Sequence, residues 1–142
     1  MNRPCRILLV DDHCWIREGL RARLQSSSAF LVCAEAASVE QAMDVLAQTE
    51  VDIVITDLRL GAGSGADLLA AIAAAPALQC AVLVLTMHDD PAFVKRMLSL
   101  GAMGYLLKDD PAAVLMQALD SVRRQQVFLS PSIASEALGE VR

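Results

Sequence analysis

Val51-Asp52-Ile53-Val54-Ile55-Thr56-Asp57 is an apolar, β-branched run that ends in a carboxylate. β-Branched residues pack well on a pleated surface, so the run reads as a buried strand with Asp57 at its C-terminal tip. Three other apolar runs end in polar groups: Ile7 to Val10 in Asp11-Asp12, Ala81 to Leu85 in Thr86, and Tyr105 to Leu107 in Lys108. In an open parallel sheet the carboxyl ends of the strands form the ligand crevice. Asp11, Asp12, Asp57, Thr86 and Lys108 are therefore expected to converge, a set suited to phosphate chemistry.

Outward from that run, strand and helix patterns alternate. Cys5 to Val10 reads as a first strand, followed by helical spacing of Ile16, Gly19, Leu20, Arg23 and Leu24 as far as the breaker Ser26-Ser27-Ser28. Phe30 to Ala34 is a second strand, and Ser38 caps the helix that carries Ala42, Val45 and Leu46. After Asp57, Gly61-Ala62-Gly63-Ser64-Gly65 reads as a flexible loop, Ala66 to Ala75 as a helix ended by Pro76, and Cys80 to Thr86 as a fourth strand. Asp90-Pro91 opens a helix that Gly101 stops, and Ala102 to Leu107 is a fifth strand. Asp110-Pro111 opens the last large helix, with Leu115, Ala118, Leu119 and Val122 on one face. Ser130-Pro131 starts a short capped helix through Leu138. Strict alternation implies a doubly wound parallel α/β sheet. Residues 1–126 are expected to form one domain and 127–142 an extension or linker.

Composition narrows the class. A chain of 142 residues fits one domain, and 55% hydrophobic with 4% aromatic residues points to an aliphatic core. No apolar run approaches the ~20 residues that cross a bilayer, and Asp11-Asp12 so near the start is unlike a signal peptide. The expected location is the cytoplasm, without membrane contact. The four cysteines form no C-x-x-C pair and read as structural thiols. A net charge of −5 argues against direct binding of duplex DNA, which needs a clustered cationic surface.

Val10-Asp11-Asp12-His13, Thr56-Asp57-Leu58-Arg59-Leu60, Leu85-Thr86-Met87-His88-Asp89-Asp90 and Gly101-Ala102-Met103-Gly104-Tyr105-Leu106-Leu107-Lys108-Asp109 together resemble the receiver domain of two-component response regulators. Arg17-Glu18-Gly19-Leu20 and the run Gly-Tyr-Leu-Leu-Lys-Asp resemble the NarL/FixJ subgroup. The resemblance covers Arg6 to about Gln126. It implies a five-stranded flavodoxin-like sheet of order 2-1-3-4-5, five flanking helices and the short terminal helix. It also implies a helix-turn-helix domain missing from this chain, through which any DNA contact would run.

Like charges as close as Asp11, Asp12 and Asp57 raise one another's pKa unless a cation neutralises them, and hard oxygen donors suit Mg²⁺. The resemblance assigns Asp12, Asp57 and the carbonyl of Arg59 as ligands, with Asp11 acting through water. Asp57 is then the nucleophile, Lys108 the ammonium that neutralises phosphoryl oxygens, and Thr86 the hydroxyl that binds the new phosphoryl group. The resemblance makes Tyr105 the aromatic that turns inward with Thr86. Taken singly, each residue has a plainer role: Asp11-Asp12 or Asp57 as a helix cap, Thr86 as a strand residue, Tyr105 as packing.

His13 reads as a helix-start residue, and His88 as a neighbour that tunes hydrolysis. Gly61 stands where many receivers have proline and leaves the Arg59 loop mobile; Met87 is a bulky screen beside Thr86. Arg59 is expected to swing its guanidinium over Asp11 or Asp12 when no metal is bound. Trp15 falls roughly 140° from the apolar stripe of its helix at ~100° per residue. It is expected to lie off the core, with Cys14, Glu18 and Ala22, as a docking patch for a histidine kinase or phosphotransfer protein. Homodimer formation on phosphorylation is the expected output contact. Two rivals compete, a Mg²⁺-dependent aspartyl-phosphate phosphohydrolase, which would want an Asp-x-Asp first strand, and a flavodoxin-like cofactor binder, whose flavin phosphate Asp11-Asp12 would repel. Within the receiver reading, the alternative is a stand-alone receiver acting by protein–protein contact. The chain is expected to catalyse only its own phosphorylation and dephosphorylation.

Overall fold

Five of the apolar runs become adjacent parallel strands, because each is flanked by a helix long enough to cross back over the sheet. The computed structural model describes residues 3–134. Along the chain these are β1 (Cys5–Val10), α1 (Cys14–Leu24), β2 (Phe30–Ala36), α2 (Val39–Gln48) and β3 (Ile53–Thr56). A short pair, β4 (Arg59–Leu60) and β5 (Gly63–Ser64), leads into α3 (Gly65–Ala73). Then come β6 (Ala81–Thr86), α4 (Pro91–Ser99), β7 (Gly104–Leu107), α5 (Ala112–Arg123) and β8 (Phe128–Leu129). The main sheet runs β2-β1-β3-β6-β7-β8. Its five long strands keep the expected order 2-1-3-4-5, and all pairings are parallel.

Period-two alternation divides the strands between two cores. Leu8, Val10, Val54, Val82 and Val84 face α2, α3 and α4 through Leu46, Leu68, Leu69, Val94 and Met97. Ile7, Leu9, Ile53, Ile55, Leu83 and Leu85 face α1 and α5 through Leu20, Leu24, Leu115 and Leu119. With both faces covered, each such side chain contributes about 1.5–3 kcal/mol of burial, ample to set the register.

Three local features differ from expectation. Phe128 and Leu129, assigned to a linker, add a sixth strand: Phe128 N–H donates to Met103 O at 2.9 Å and Ser130 N–H to Tyr105 O at 3.1 Å. Ile133 beyond it is 1% exposed in the first core. Residues 131–134 are helical, and the expected remainder of that helix lies outside the described residues. The glycine loop is not a free coil but the turn of the β4–β5 hairpin, with Gly61 at φ +65°, a conformation glycine adopts without strain. Asp110 does not cap α5; its Oδ2 accepts from Leu107 N–H at 2.9 Å and closes the turn after β7. Ser38, Ser64 and Asp90 do cap α2, α3 and α4.

Register delivers the polar tips together. Val10 pairs with Thr56, Thr56 with Val84, and Thr86 with Leu107. Asp57 N–H continues the ladder to Val10 O at 3.2 Å and Lys108 N–H to Thr86 O at 2.8 Å, so the residues just past each strand still share its order.

Candidate functional site

The crevice at the carboxyl edge is built around Lys108. Its Nζ donates to Asp57 Oδ2 at 2.8 Å and to Asp11 Oδ2 at 2.9 Å, joining the ends of β7, β3 and β1. Burial alone would lower this ammonium's pKa, but hydrogen bonds to Asp57 and Asp11 and their charges outweigh it and hold Lys108 above the ordinary lysine range. The lysine therefore stays charged at neutral pH. Asp11 is buried, with its side chain only 5% exposed; Asp12 opens to solvent at 31%.

Asp57 Oδ1 accepts from Leu58 N–H at 2.6 Å, which leaves Oδ2 toward the crevice. Its backbone is fixed from behind. Gly65 N–H donates to Leu58 O at 2.8 Å, and a Cβ on Gly65 would stand 2.6 Å from Asp57 O. Only glycine allows α3 to start that close to the strand end. Asp12 Oδ2 accepts from Gly61 N–H at 3.1 Å, so the hairpin turn that carries Arg59 is tied to the acidic pair.

The cleft above these groups measures about 750 Å³. Asp12, Asp57, Arg59, Thr86, Met87, His88, Lys108 and Trp15 line it, while Asp11 and Tyr105 lie beneath. Trp15 is 68% exposed, off the core as expected. Cys14, Glu18 and Ala22 are exposed on α1 but do not line the cleft. Arg59 is exposed and, contrary to expectation, makes no ion pair with Asp11 or Asp12. The position beside those carboxylates is taken instead by the His13 ring. Its Nδ1 lies 3.2 Å from Asp11 Oδ1 and 3.0 Å from Asp12 Oδ1, and its ring meets Trp15 edge-on at 6.1 Å.

His13 is thus the residue whose part the sequence reading understated. It does stand at the start of α1, as the N-cap before Cys14, but as part of three consecutive residues it also faces the acidic pair. Asp11, Asp12 and His13 present ligand atoms within 4.8 Å of one another. The carboxylates are the hard oxygen donors Mg²⁺ selects, and three acids against one lysine leave negative charge for a divalent cation. The residues fit that metal, provided the imidazole moves aside.

Thr86 and Tyr105 meet through one residue. His88 N–H donates to Thr86 Oγ1 at 3.4 Å, and the Tyr105 hydroxyl donates to His88 O at 2.6 Å. Tyr105 is fully buried, so it is already inward; burial, with the charges of Asp57, Asp89 and Asp90, raises its pKa far above the phenolic range. The His88 ring packs edge-on against Phe93 of α4 at 5.6 Å. A shift of Thr86 would therefore reach α4 through the His88 backbone and ring.

Comparison with known proteins agrees. The response regulator receiver domain model matches residues 7–120. The chain is 32% identical over 133 residues to a nitrate/nitrite response regulator protein homolog of Haemophilus influenzae, covering 94% of this chain and 64% of that protein. It is 31% identical over 137 residues to a probable transcriptional regulatory protein NarL of Mycobacterium tuberculosis, covering 96% and 63%. The chain spans a little under two thirds of the length of these curated relatives. The crystal structure of a LuxR-family two-component response regulator from Aurantimonas sp. SI85-9A1 superposes with a TM-score of 0.91 at 34% identity, covering 97% of this chain and 98% of that one. With its strand-end carboxylates, hydroxyl and lysine in one crevice, the chain belongs to the receiver-domain family of two-component response regulators, among NarL- and LuxR-type relatives.

Proposed function

We propose that the chain is a phosphoacceptor switch in which Asp57 takes a phosphoryl group from the phosphohistidine of a partner kinase or phosphotransfer protein in the cytoplasm. The observation that carries this reading is the Lys108 ammonium bridging Asp57 and Asp11 beneath an open, negatively charged cleft. In the step, an Asp57 oxygen bonds to phosphorus as the phosphorus–nitrogen bond breaks, and the departing imidazole takes up a proton. Lys108 sits where phosphoryl oxygens gain charge, as a compact cation should. Asp11, Asp12, Asp57 and the Arg59 carbonyl would hold Mg²⁺, which would supply the further positive charge that an anion attacking an anion needs.

Thr86 then exchanges its bond with His88 N–H for a phosphoryl oxygen, and the Tyr105–His88–Phe93 chain carries the change to α4. Phe93, exposed on α4, with α5, forms the face for output or homodimer contact, while β7 lies buried between β6 and β8. Met87 screens the acyl phosphate, and His88 and Arg59 tune its lifetime. Several relatives are named as transcriptional regulators and are longer than this chain, which supports a transcriptional output through a DNA-binding domain elsewhere in the protein. The chain turns over no free metabolite.

Intact mass after treatment with acetyl phosphate and Mg²⁺ tests the reading. A gain of about 80 Da on Asp57, lost in Asp57→Asn, is expected; rapid release of free phosphate without an adduct would favour the hydrolase, and an adduct that survives Asp57→Asn would remove the nucleophile. Trp15, exposed at the mouth of the cleft, is the proposed kinase contact, with Cys14, Glu18 and Ala22 around it. Trp15→Ala is expected to slow transfer from the kinase by about tenfold, a loss of about 1.4 kcal/mol, while leaving acetyl phosphate labelling within about twofold. Equal loss with both donors would reduce Trp15 to a support of the site.

A further inference from the structure

Two arginines one turn apart on α1 share one carboxylate, yet only one of them reaches the crevice. Arg17 Nε donates to Glu35 Oε1 at 2.9 Å, and Arg21 Nε donates to Glu35 Oε2 at 2.8 Å. Glu35, on β2, pairs in register with Leu9 of β1. Burial would raise its pKa, but hydrogen bonds from Arg21 and Arg17 and their charges outweigh it and keep the carboxylate ionised. Arg17 has a second bond that Arg21 lacks: its Nη1 donates to the backbone carbonyl of Asp11 at 2.5 Å. It is also the more enclosed of the two, 17% exposed against 36% for Arg21.

That bond closes a frame around one peptide. Asp11 N–H donates to Ala36 O at 3.1 Å, so β2 holds the residue from its amide side and Arg17 from its carbonyl side. The carbonyl of Asp11 and the N–H of Asp12 belong to the same rigid plane. Fixing the oxygen fixes the direction in which the chain leaves toward Asp12, and hence where its carboxylate points.

We infer that Arg17, oriented by Glu35, is a positioning residue that locks the Asp11–Asp12 peptide and aims the Asp12 carboxylate at the cation site. The inference rests on the Mg²⁺ reading of the crevice. Groups that hold a metal's ligands in place cost about 10-fold to 100-fold in affinity when removed. A plain staple between α1 and β2 would instead involve Arg17 and Arg21 alike. A plain charge effect would do so with the opposite sign, since removing either cation strengthens the attraction of the crevice for Mg²⁺.

Calorimetric Mg²⁺ titration of the whole chain, with thermal melts and amide NMR spectra, separates these. Arg17→Gln is expected to weaken Mg²⁺ binding by about tenfold and shift the Asp12 amide resonance. Arg21→Gln should hold affinity within about twofold and leave that resonance in place, even where its melting temperature falls as far. Arg17→Lys, which keeps the charge and one donor toward the carbonyl, should recover part of the affinity. Unchanged or tighter binding in Arg17→Gln, or equal weakening in Arg21→Gln, overturns the inference. Wild-type protein that binds no Mg²⁺ overturns the metal reading instead; the locking of the peptide then stands or falls on the Asp12 amide.

Discussion

The two edges of the sheet each carry a cleft of similar size, about 750 Å³ at the carboxyl ends of the strands and about 780 Å³ at their amino ends. Their charges differ in kind. At the amino edge Arg3 pairs with Glu50 at 2.6 Å and with Asp52 at 3.0 Å, and Asp52 also accepts from Arg6 N–H at 2.8 Å. Each carboxylate there has a cationic or N–H partner, Arg123 donates to Arg3 O at 3.3 Å, and burial pushes the Cys5 thiol up to about 11, away from reactivity. At the carboxyl edge three carboxylates share one lysine and one imidazole. Volume does not separate the edges; unmatched negative charge on a fixed backbone does. A structure that gathers three carboxylates around one lysine gives up stability for a site.

If the rigid backbone matters as much as the charge, moving it alone should disable the carboxyl edge. Gly65→Ala changes no charge but places a Cβ 2.6 Å from Asp57 O. The start of α3 must then shift and carry Asp57 with it. Acetyl phosphate labelling is expected to fall at least tenfold, with about 1–3 kcal/mol of stability lost by urea denaturation. Gly19→Ala, with nothing within 4 Å, is the control and should stabilise α1 by about 0.5–1 kcal/mol. Wild-type labelling rates in Gly65→Ala would show that the backbone contact is incidental.

The sequence disclosed the carboxyl edge better than its supports. Four strand tips ending in Asp11, Asp57, Thr86 and Lys108 were readable because burial on both faces writes continuous apolar runs, and the runs end where the polar residues begin. β8 was not readable, since two residues have no period. Gly61 and Gly65 looked alike as loop glycines, although one serves a left-handed turn and the other a close approach to Asp57. The frame of Arg17 and Glu35 was hidden for a different reason. Its partners are 18 residues apart and meet only once β1 and β2 are in register. Long-range polar contacts leave no local pattern, so the ligands of a site are legible before the groups that aim them.

Unmatched charge predicts a stabilising cation at one edge only. In low salt, Mg²⁺ at roughly five times its Kd should add about 1 kcal/mol, or about 2–4 °C in Tm. Asp12→Asn should remove most of the response, and Asp52→Asn at the amino edge should leave it intact. A response that survives Asp12→Asn, or disappears with Asp52→Asn, would erase the distinction between the edges.

The smallest effect separates the edges by pH. Cys5, Tyr105 and Lys108 all have folded pKa values above their ordinary ones, Cys5 chiefly through burial, as does Tyr105, and Lys108 through Asp57 and Asp11 against its burial. A raised pKa contributes stability that is fully present below the unfolded value and is lost as pH climbs through the folded one. Cys5, moving from 9.0 to about 11, acts first and belongs to the amino edge, joined by Cys33 and Cys80, whose thiols burial also raises from 9.0; Lys108, starting from 10.5, acts later and belongs to the crevice. Stability from urea denaturation should therefore be flat near neutrality and begin to fall above about pH 9, with a slope from one group of at most about 1.4 kcal/mol per pH unit. Cys5→Ala costs some stability at every pH by leaving space in the core, but it should flatten the first part of the fall, which begins near the unfolded thiol's 9.0 and ends near the folded value of about 11. Lys108→Met should leave that first part unchanged and flatten only the later, more alkaline part of the fall. An unchanged slope in Cys5→Ala would mean that the thiol ionises in the folded protein as readily as in the unfolded chain, and that the amino edge is less sealed than its burial indicates.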